Sequence, residues 1–145
     1  MRIPNLRNKG KNWFADRSGT SGIEFAFIVH ALAVGVVCIS DVANIAMGSS
    51  QMQTAARTSI QYAMNGGTDL SIAQAQGMQA WNSKPSGATL TVAQSYKCGN
   101  AAGTQGQLCP DGSAPSTYVT ATATAMLGGS VFSQQETVTE SVRTE

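Results

Sequence analysis

Charge is what this sequence has least of. Asp, Glu, Lys and Arg make up 12% of the 145 residues, about half the usual share of ~25%. There is one histidine, His30, and it lies in an apolar run far from Cys98 and Cys109. No Cys/His cluster has metal-ligand spacing, and no Gly-rich loop opens a helix to cradle phosphate. Asp69 and Asp111 read as a cap and a turn residue. The sequence therefore predicts no catalytic residues, no metal site and no cofactor, and the chain is not expected to be an enzyme. Proline is scarce at four residues, none of them between Asp41 and Met64, which leaves a long helix free to form there.

Cysteine is scarce as well. Of the three, Cys38 lies in the apolar run and reads as an inert small hydrophobe. Cys98 and Cys109 lie beyond it in a Gly/Asn/Gln-rich stretch. If that part is exported, a disulfide closing the loop is the natural reading. It would contribute roughly 3 kcal/mol by loop-closure entropy.

The few charges are unevenly placed. Residues 1–19 hold Arg2, Arg7, Lys9, Lys11 and Arg17 against Asp16, a net of +4. The remainder holds Arg57, Lys84, Lys97 and Arg143 against seven acids, Glu24, Asp41, Asp69, Asp111, Glu136, Glu140 and Glu145, a net of −3. A basic end ahead of an apolar segment stays cytoplasmic and sends the C-terminal part outward. A nucleic-acid-binding arm is the competing reading of the same cations. The adjoining apolar run explains them better, and no nucleic-acid partner is expected.

That run extends from Ile23 to Ile39, broken only by Glu24 and His30. With flanking residues it approaches the ~20 residues that cross a bilayer. A cleavable secretory signal fits less well. Ala31-Leu32-Ala33 falls inside the run, and the sites near Ala43 and Ala46 come after Asp41. Asp41 and Asn44 read as the outer membrane boundary.

Helical pattern continues past the membrane. Met52, Ala56, Ile60 and Ala63 recur at helical spacing and form one apolar stripe. Asn65-Gly66-Gly67 then stops the helix. A helix from Thr20 to Met64 would be about 68 Å long at 1.5 Å per residue, of which only ~30 Å can lie in hydrocarbon.

Thr68-Asp69 can cap a second helix through about Trp81, with Leu70, Ile72, Ala73 and Met78 available for packing. Beyond it come three strand-like runs at Thr89–Tyr96, Thr117–Ala125 and Glu136–Arg143, with an exposed loop at Met126–Phe132. Their alternation predicts an antiparallel sheet with one wet face. The expected fold class is α+β: a long N-terminal membrane-spanning helix packed on a small antiparallel β-sheet head. The expected divisions are a basic leader (1–19), the long helix, transmembrane in its first half (20–64), and an extracytoplasmic α+β head (65–145).

One combination is more specific than its parts. A short basic leader is followed by Gly19, a carboxylate five residues on at Glu24, an aromatic at Phe25, and a membrane-length apolar run. Gly19-Thr20-Ser21-Gly22-Ile23-Glu24-Phe25 resembles the type IV prepilin signal in the form used by tight-adherence (Flp/Tad) pilus systems. Asp16-Arg17-Ser18-Gly19 with Gly22–Ala26, and Gln51-Met52-Gln53-Thr54-Ala55-Ala56-Arg57 continuing to Tyr62-Ala63, resemble TadE-type minor pseudopilins. The resemblance is looser over Val119–Ala125 and Val138–Arg143.

It implies cleavage between Gly19 and Thr20 by a prepilin peptidase and assembly through Glu24 and Phe25. The implied partners are other pilin and pseudopilin subunits, and the implied location is a bacterial inner membrane with the C-terminus outside the cytoplasm. The long segment after Met64 favours a minor subunit over a filament-building pilin. The chain departs from the family in lacking a proline within the apolar helix and in carrying His30 and Asp41 there.

The chemistry of that signal can be argued independently. Cleavage after Gly19 removes all five leader cations and leaves an amine on Thr20. Amine and carboxylate are both charged at neutral pH. The amine of one subunit can meet Glu24 of its neighbour, offsetting the desolvation of both ions. A glycine at the cleaved bond lets a protease approach the backbone closely. Two other readings fit the same residues. One is a single-pass anchor displaying a periplasmic binding or adhesion module, with Glu24 hydrated among headgroups. The other is an exported soluble protein that discards its N-terminus.

Overall fold

The computed structural model of the chain describes residues 20–144. The leader, and with it Gly19, lies outside the described residues. The elements are, in chain order, α1 (Thr20–Met64), α2 (Leu70–Ala80), β1 (Thr89–Cys98), β2 (Ala101–Gly103), β3 (Ser116–Gly128) and β4 (Ser133–Arg143). α1 ends at Met64, where its sequence pattern predicts. The chain divides into two compact units, Met1–Ile39 and Ser40–Glu145, and the division falls inside α1. The outer unit therefore begins well before residue 65, because the second half of α1 is part of its core.

In the first unit the described residues form helix throughout. Its large apolar side chains are exposed, Phe27 at 74% and Ile39 at 71%. This is one helix near the N-terminus long and apolar enough to cross a membrane. Water-exposed apolar area costs about 25 cal/mol per Å², so this sleeve calls for lipid or other helices around it. Cys38 is a half-buried free thiol. His30 Nδ1 lies 2.7 Å from the Ala26 carbonyl oxygen one turn back. That bond satisfies part of the ring's polarity within its own helix.

The second unit is a helix pair on a four-stranded antiparallel sheet of order β2-β1-β3-β4. The predicted stripe of α1, Met52, Ala56, Ile60 and Ala63, is buried, with Ala55 and Ser59 beside it. It lies on the inner face of β3, where Val119, Ala121, Ala123, Ala125 and Leu127 alternate with outward threonines. Three alanines in mid-strand leave space for the helix, while the larger Val119 and Leu127 fill the ends. Met52 and Ala55 cluster with Trp81, Leu90 and Leu127. Ala56, Ile60 and Ala63 cluster with Val119 and Ala121. Because the C-terminal part of α1 meets the start of β3, the two run antiparallel.

α1 stops at Asn65-Gly66-Gly67, where the Gly67 N–H donates to the Tyr62 carbonyl and the Gly66 N–H to that of Ala63. These bonds satisfy carbonyls that the helix end would leave open. Asp69 then caps α2, accepting from the N–H groups of Ser71 at 2.8 Å and Ile72 at 3.4 Å. The inward residues of α2 are Ala73 and Gly77, not Ile72, which is 44% exposed. Gly77 lies so close to α1 that a Cβ there would collide with Ser59 Oγ and stand 2.7 Å from the Ala55 carbonyl oxygen. Small residues thus face α1, and the bulkier Ile72 is turned out.

The strands extend beyond their predicted ends, and β2 is an addition to them. It pairs Ala101–Gly103 with Tyr96–Cys98 across a turn at Gly99-Asn100. Two alanines and a glycine carry no alternating pattern, and their pairing is set by the adjoining strand and turn. The Met126–Phe132 loop is shorter than expected, because Met126, Leu127 and Gly128 continue β3 and pair with Gln135, Gln134 and Ser133.

Candidate functional site

The described residues of the expected processing and assembly signal, Thr20, Glu24 and Phe25, lie in the first unit. Thr20 opens α1. Glu24 and Phe25 come one turn later and are exposed, Phe25 at 67%. Gly22, Ile23, Ala26, Phe27 and His30 line a shallow groove along one side of the helix. Gly22, Ala26 and His30 are spaced by four residues and share one face, where the small Gly22 and Ala26 stand beside Ile23 and Phe27. Such a face admits another helix closely. Between Thr20 and Ser40 the sequence holds Glu24 as its one acid and no Lys or Arg, so a Lys or Arg partner for its charge comes from outside that stretch.

In the second unit the principal polar centre is Asp41, which the sequence reads as marking the outer membrane boundary. The structure makes it a buried carboxylate, 3% exposed. It accepts three consecutive backbone N–H bonds from the turn between β3 and β4: Ser130 at 3.1 Å, Val131 at 2.7 Å and Phe132 at 3.0 Å. These donors hold its carboxyl below the usual carboxylate range, the Val131 and Phe132 bonds first, against an opposing push from desolvation. The turn is closed by the Gly129 N–H on the Phe132 carbonyl at 2.8 Å. Gly129 is required here, because a Cβ at that position would overlap the Asp41 carboxylate. Asp41 and the turn are about ninety positions apart in sequence. The local hint was Gly128-Gly129-Ser130, and nothing in it names its partner.

At the other end of β3 the disulfide expected between Cys98 and Cys109 is formed. It encloses β2 and a turn-rich segment. Asp111 closes the adjoining turn, accepting from the Ser113 N–H at 3.0 Å and the Ser113 hydroxyl at 2.7 Å.

The outward face of the sheet carries threonine rows, with Lys97, stacked 4.9 Å over the Tyr118 ring, and Arg143 toward one end. The cross-strand rows are Thr91, Thr122 and Thr139, and Thr89, Thr124 and Thr137. Within them the Thr122 and Thr139 hydroxyls are 3.5 Å apart, and those of Thr124 and Thr137 3.4 Å. Arg57 on α1 reaches around to pair with Glu140 on β4 at 3.2 Å, an exposed ion pair of small energetic weight.

An open cleft of about 360 Å³ lies beyond the end of α1, lined by Met64, Thr68, Gln94, Thr117 and Arg143 among others. Among the described residues on its wall, Arg143 is the one charged side chain. Among the described residues, no three His, Cys, Asp or Glu side chains converge as metal ligands do. No known protein family, curated protein or solved structure matches the chain.

Proposed function

We propose that this chain is a minor pilin or pseudopilin of a Tad-type system. In this reading it is inserted with its leader in the cytoplasm, clipped between Gly19 and Thr20, and joined through the first half of α1 to other pilin subunits. The observation that carries the reading is the form of α1. It exposes an apolar sleeve as far as Ile39 and then turns one stripe into the core of a small α+β head. Glu24 stands four residues from the amine that cleavage would create. In a bundle of such helices that amine and a neighbour's Glu24 neutralise each other and set the axial register. The Cys98–Cys109 bond supports an oxidising compartment for the head, which agrees with an inner-membrane protein whose C-terminus lies outside the cytoplasm. The threonine rows are a surface for contacts with other subunits.

Mass spectrometry of the mature N-terminus tests the processing step. A start at Thr20 is expected, and an intact Met1 or a start beyond Val42 overturns it. Glu24→Gln tests assembly. Membrane insertion survives, while incorporation with partner subunits falls at least tenfold. If incorporation is unchanged, the chain is a single-pass anchor for a binding module, and Glu24 is a hydrated bystander.

A further inference from the structure

Three consecutive N–H groups of the β3–β4 turn are used on Asp41, which turns the adjoining side chains away from the core. Val131 is 55% exposed and Phe132 51%. Met126, near the end of β3, is 53% exposed, and Val42, next to Asp41 on α1, is 62% exposed. No charged residue occurs from Met126 to Gln135. The tip is thus an uncharged apolar knob on a hairpin whose remaining outward face is polar.

Its height along α1 is fixed. The three bonds tie it to Asp41, and Asp41 stands two positions after Ile39, where the apolar run ends. A bilayer that accommodates that run has its outer headgroup layer at this level. The clasp also removes the usual objection to an acid there. An aspartate at the lipid boundary ordinarily needs water, but this carboxylate has three N–H donors in place of it and is itself out of solvent.

We propose that the β3–β4 tip is a second membrane contact, with Val131 and Phe132 entering the headgroup–acyl boundary of the bilayer that α1 crosses. An aromatic and a branched apolar side chain suit this layer, where amphipathic and apolar groups partition at the edge of hydrocarbon. The inference rests on α1 crossing a bilayer and is independent of filament assembly.

The test uses the full chain reconstituted into vesicles of phosphatidylcholine with a minority of phosphatidylglycerol, with flotation confirming incorporation. Phe132→Trp adds an emitter at the tip, and the parent protein supplies the background from Trp13 and Trp81. The added emission should be blue-shifted. It should be quenched at least twofold by lipid brominated near the top of the acyl chain and be largely spared by aqueous acrylamide. Leu108→Trp, at the opposite end of β3 and 72% exposed in the wild type, should show the reverse.

Without any substitution, a headgroup-proximal nitroxide lipid should broaden the Val131 methyl resonances and leave those of Leu108 sharp. Quenching of the introduced tip tryptophan by acrylamide without quenching by lipid overturns the proposal. Protection from both quenchers also overturns it, and assigns the tip to a protein partner or a second copy. A chain that does not float with vesicles removes the bilayer-spanning premise itself, and with it the proposal.

Discussion

Replacing Gly77 with alanine sets two physical effects against each other with opposite signs. Gly77 is an interior residue of α2. Helix propensity alone makes Gly→Ala stabilising by about 1 kcal/mol. Packing reverses the expectation. The added methyl would collide with Ser59 Oγ and stand 2.5 Å from Leu90 Cδ2 and 2.7 Å from the Ala55 carbonyl oxygen. None of these neighbours moves cheaply. Ser59 is buried and its hydroxyl is bonded to the Ala55 carbonyl at 3.2 Å. Leu90 is 2% exposed inside the core. The Ala55 oxygen belongs to the backbone of α1. Overpacking of this kind costs about 1–3 kcal/mol, and three obstructed directions place it in the upper part of that range.

After the propensity gain, a net loss of about 1–2 kcal/mol remains. In a domain of this size each kcal/mol lowers Tm by about 4–8 °C. Thermal unfolding of the full chain in detergent micelles, followed through the buried Trp81, measures it. Gln76→Ala, on the exposed side of the same helix, controls for propensity and should stay within about 0.5 kcal/mol of the parent. A Gly77→Ala protein more stable than the parent would refute the close approach of α2 to α1.

Breaking the disulfide with Cys98→Ser and Cys109→Ser together should cost roughly 3 kcal/mol in denaturant midpoints converted to free energy, with no change in the apolar half of α1. Stability should also fall in acid. Asp41, Asp69 and Asp111 are all held below the ordinary carboxylate value of 3.8, Asp41 first by the Val131 N–H and the other two first by serine hydroxyls. Groups so depressed contribute fully above that value and lose their contribution as pH falls through the lower folded-state one. The Trp81 unfolding midpoint should therefore be nearly flat from neutrality to about pH 5 and drop below about pH 4. The drop should be shallower in Asp41→Asn, and a drop of unchanged steepness in that variant would remove Asp41 from the linkage.

The features legible in the sequence are the periodic ones. The stripe of α1, the Asp69 cap and the alternation of β3 each repeat over several turns or residue pairs or carry a local signature, and the helix stop is a local glycine signal. The features it concealed are those set by a distant partner. Ile72 looked like a packing residue because it is apolar, but the inward face of α2 is chosen by the closeness of α1, which admits Gly77 and Ala73 and rejects a branched side chain. β2 has no pattern of its own. Asp41 is the clearest case. Read locally, an acid just beyond an apolar run marks where water begins. In the fold it is the acceptor for a turn about ninety residues later.

That single contact changes what the head can do. Without it, the β3–β4 hairpin would be joined to α1 only through the buried face of the sheet, and its tip could move independently of the helix. With it, the first turn of α1 beyond the apolar run and the far end of β3 move together. The outer half of α1 is thereby tied to the sheet at two ends: by Ile60 and Ala63 against Val119 near the end of the helix, and by Asp41 against Ser130–Phe132 near the start of the outer unit. An apolar stripe alone could slide along its axis, since burial is not directional. Three aligned N–H bonds to one carboxylate set the register that the stripe leaves open.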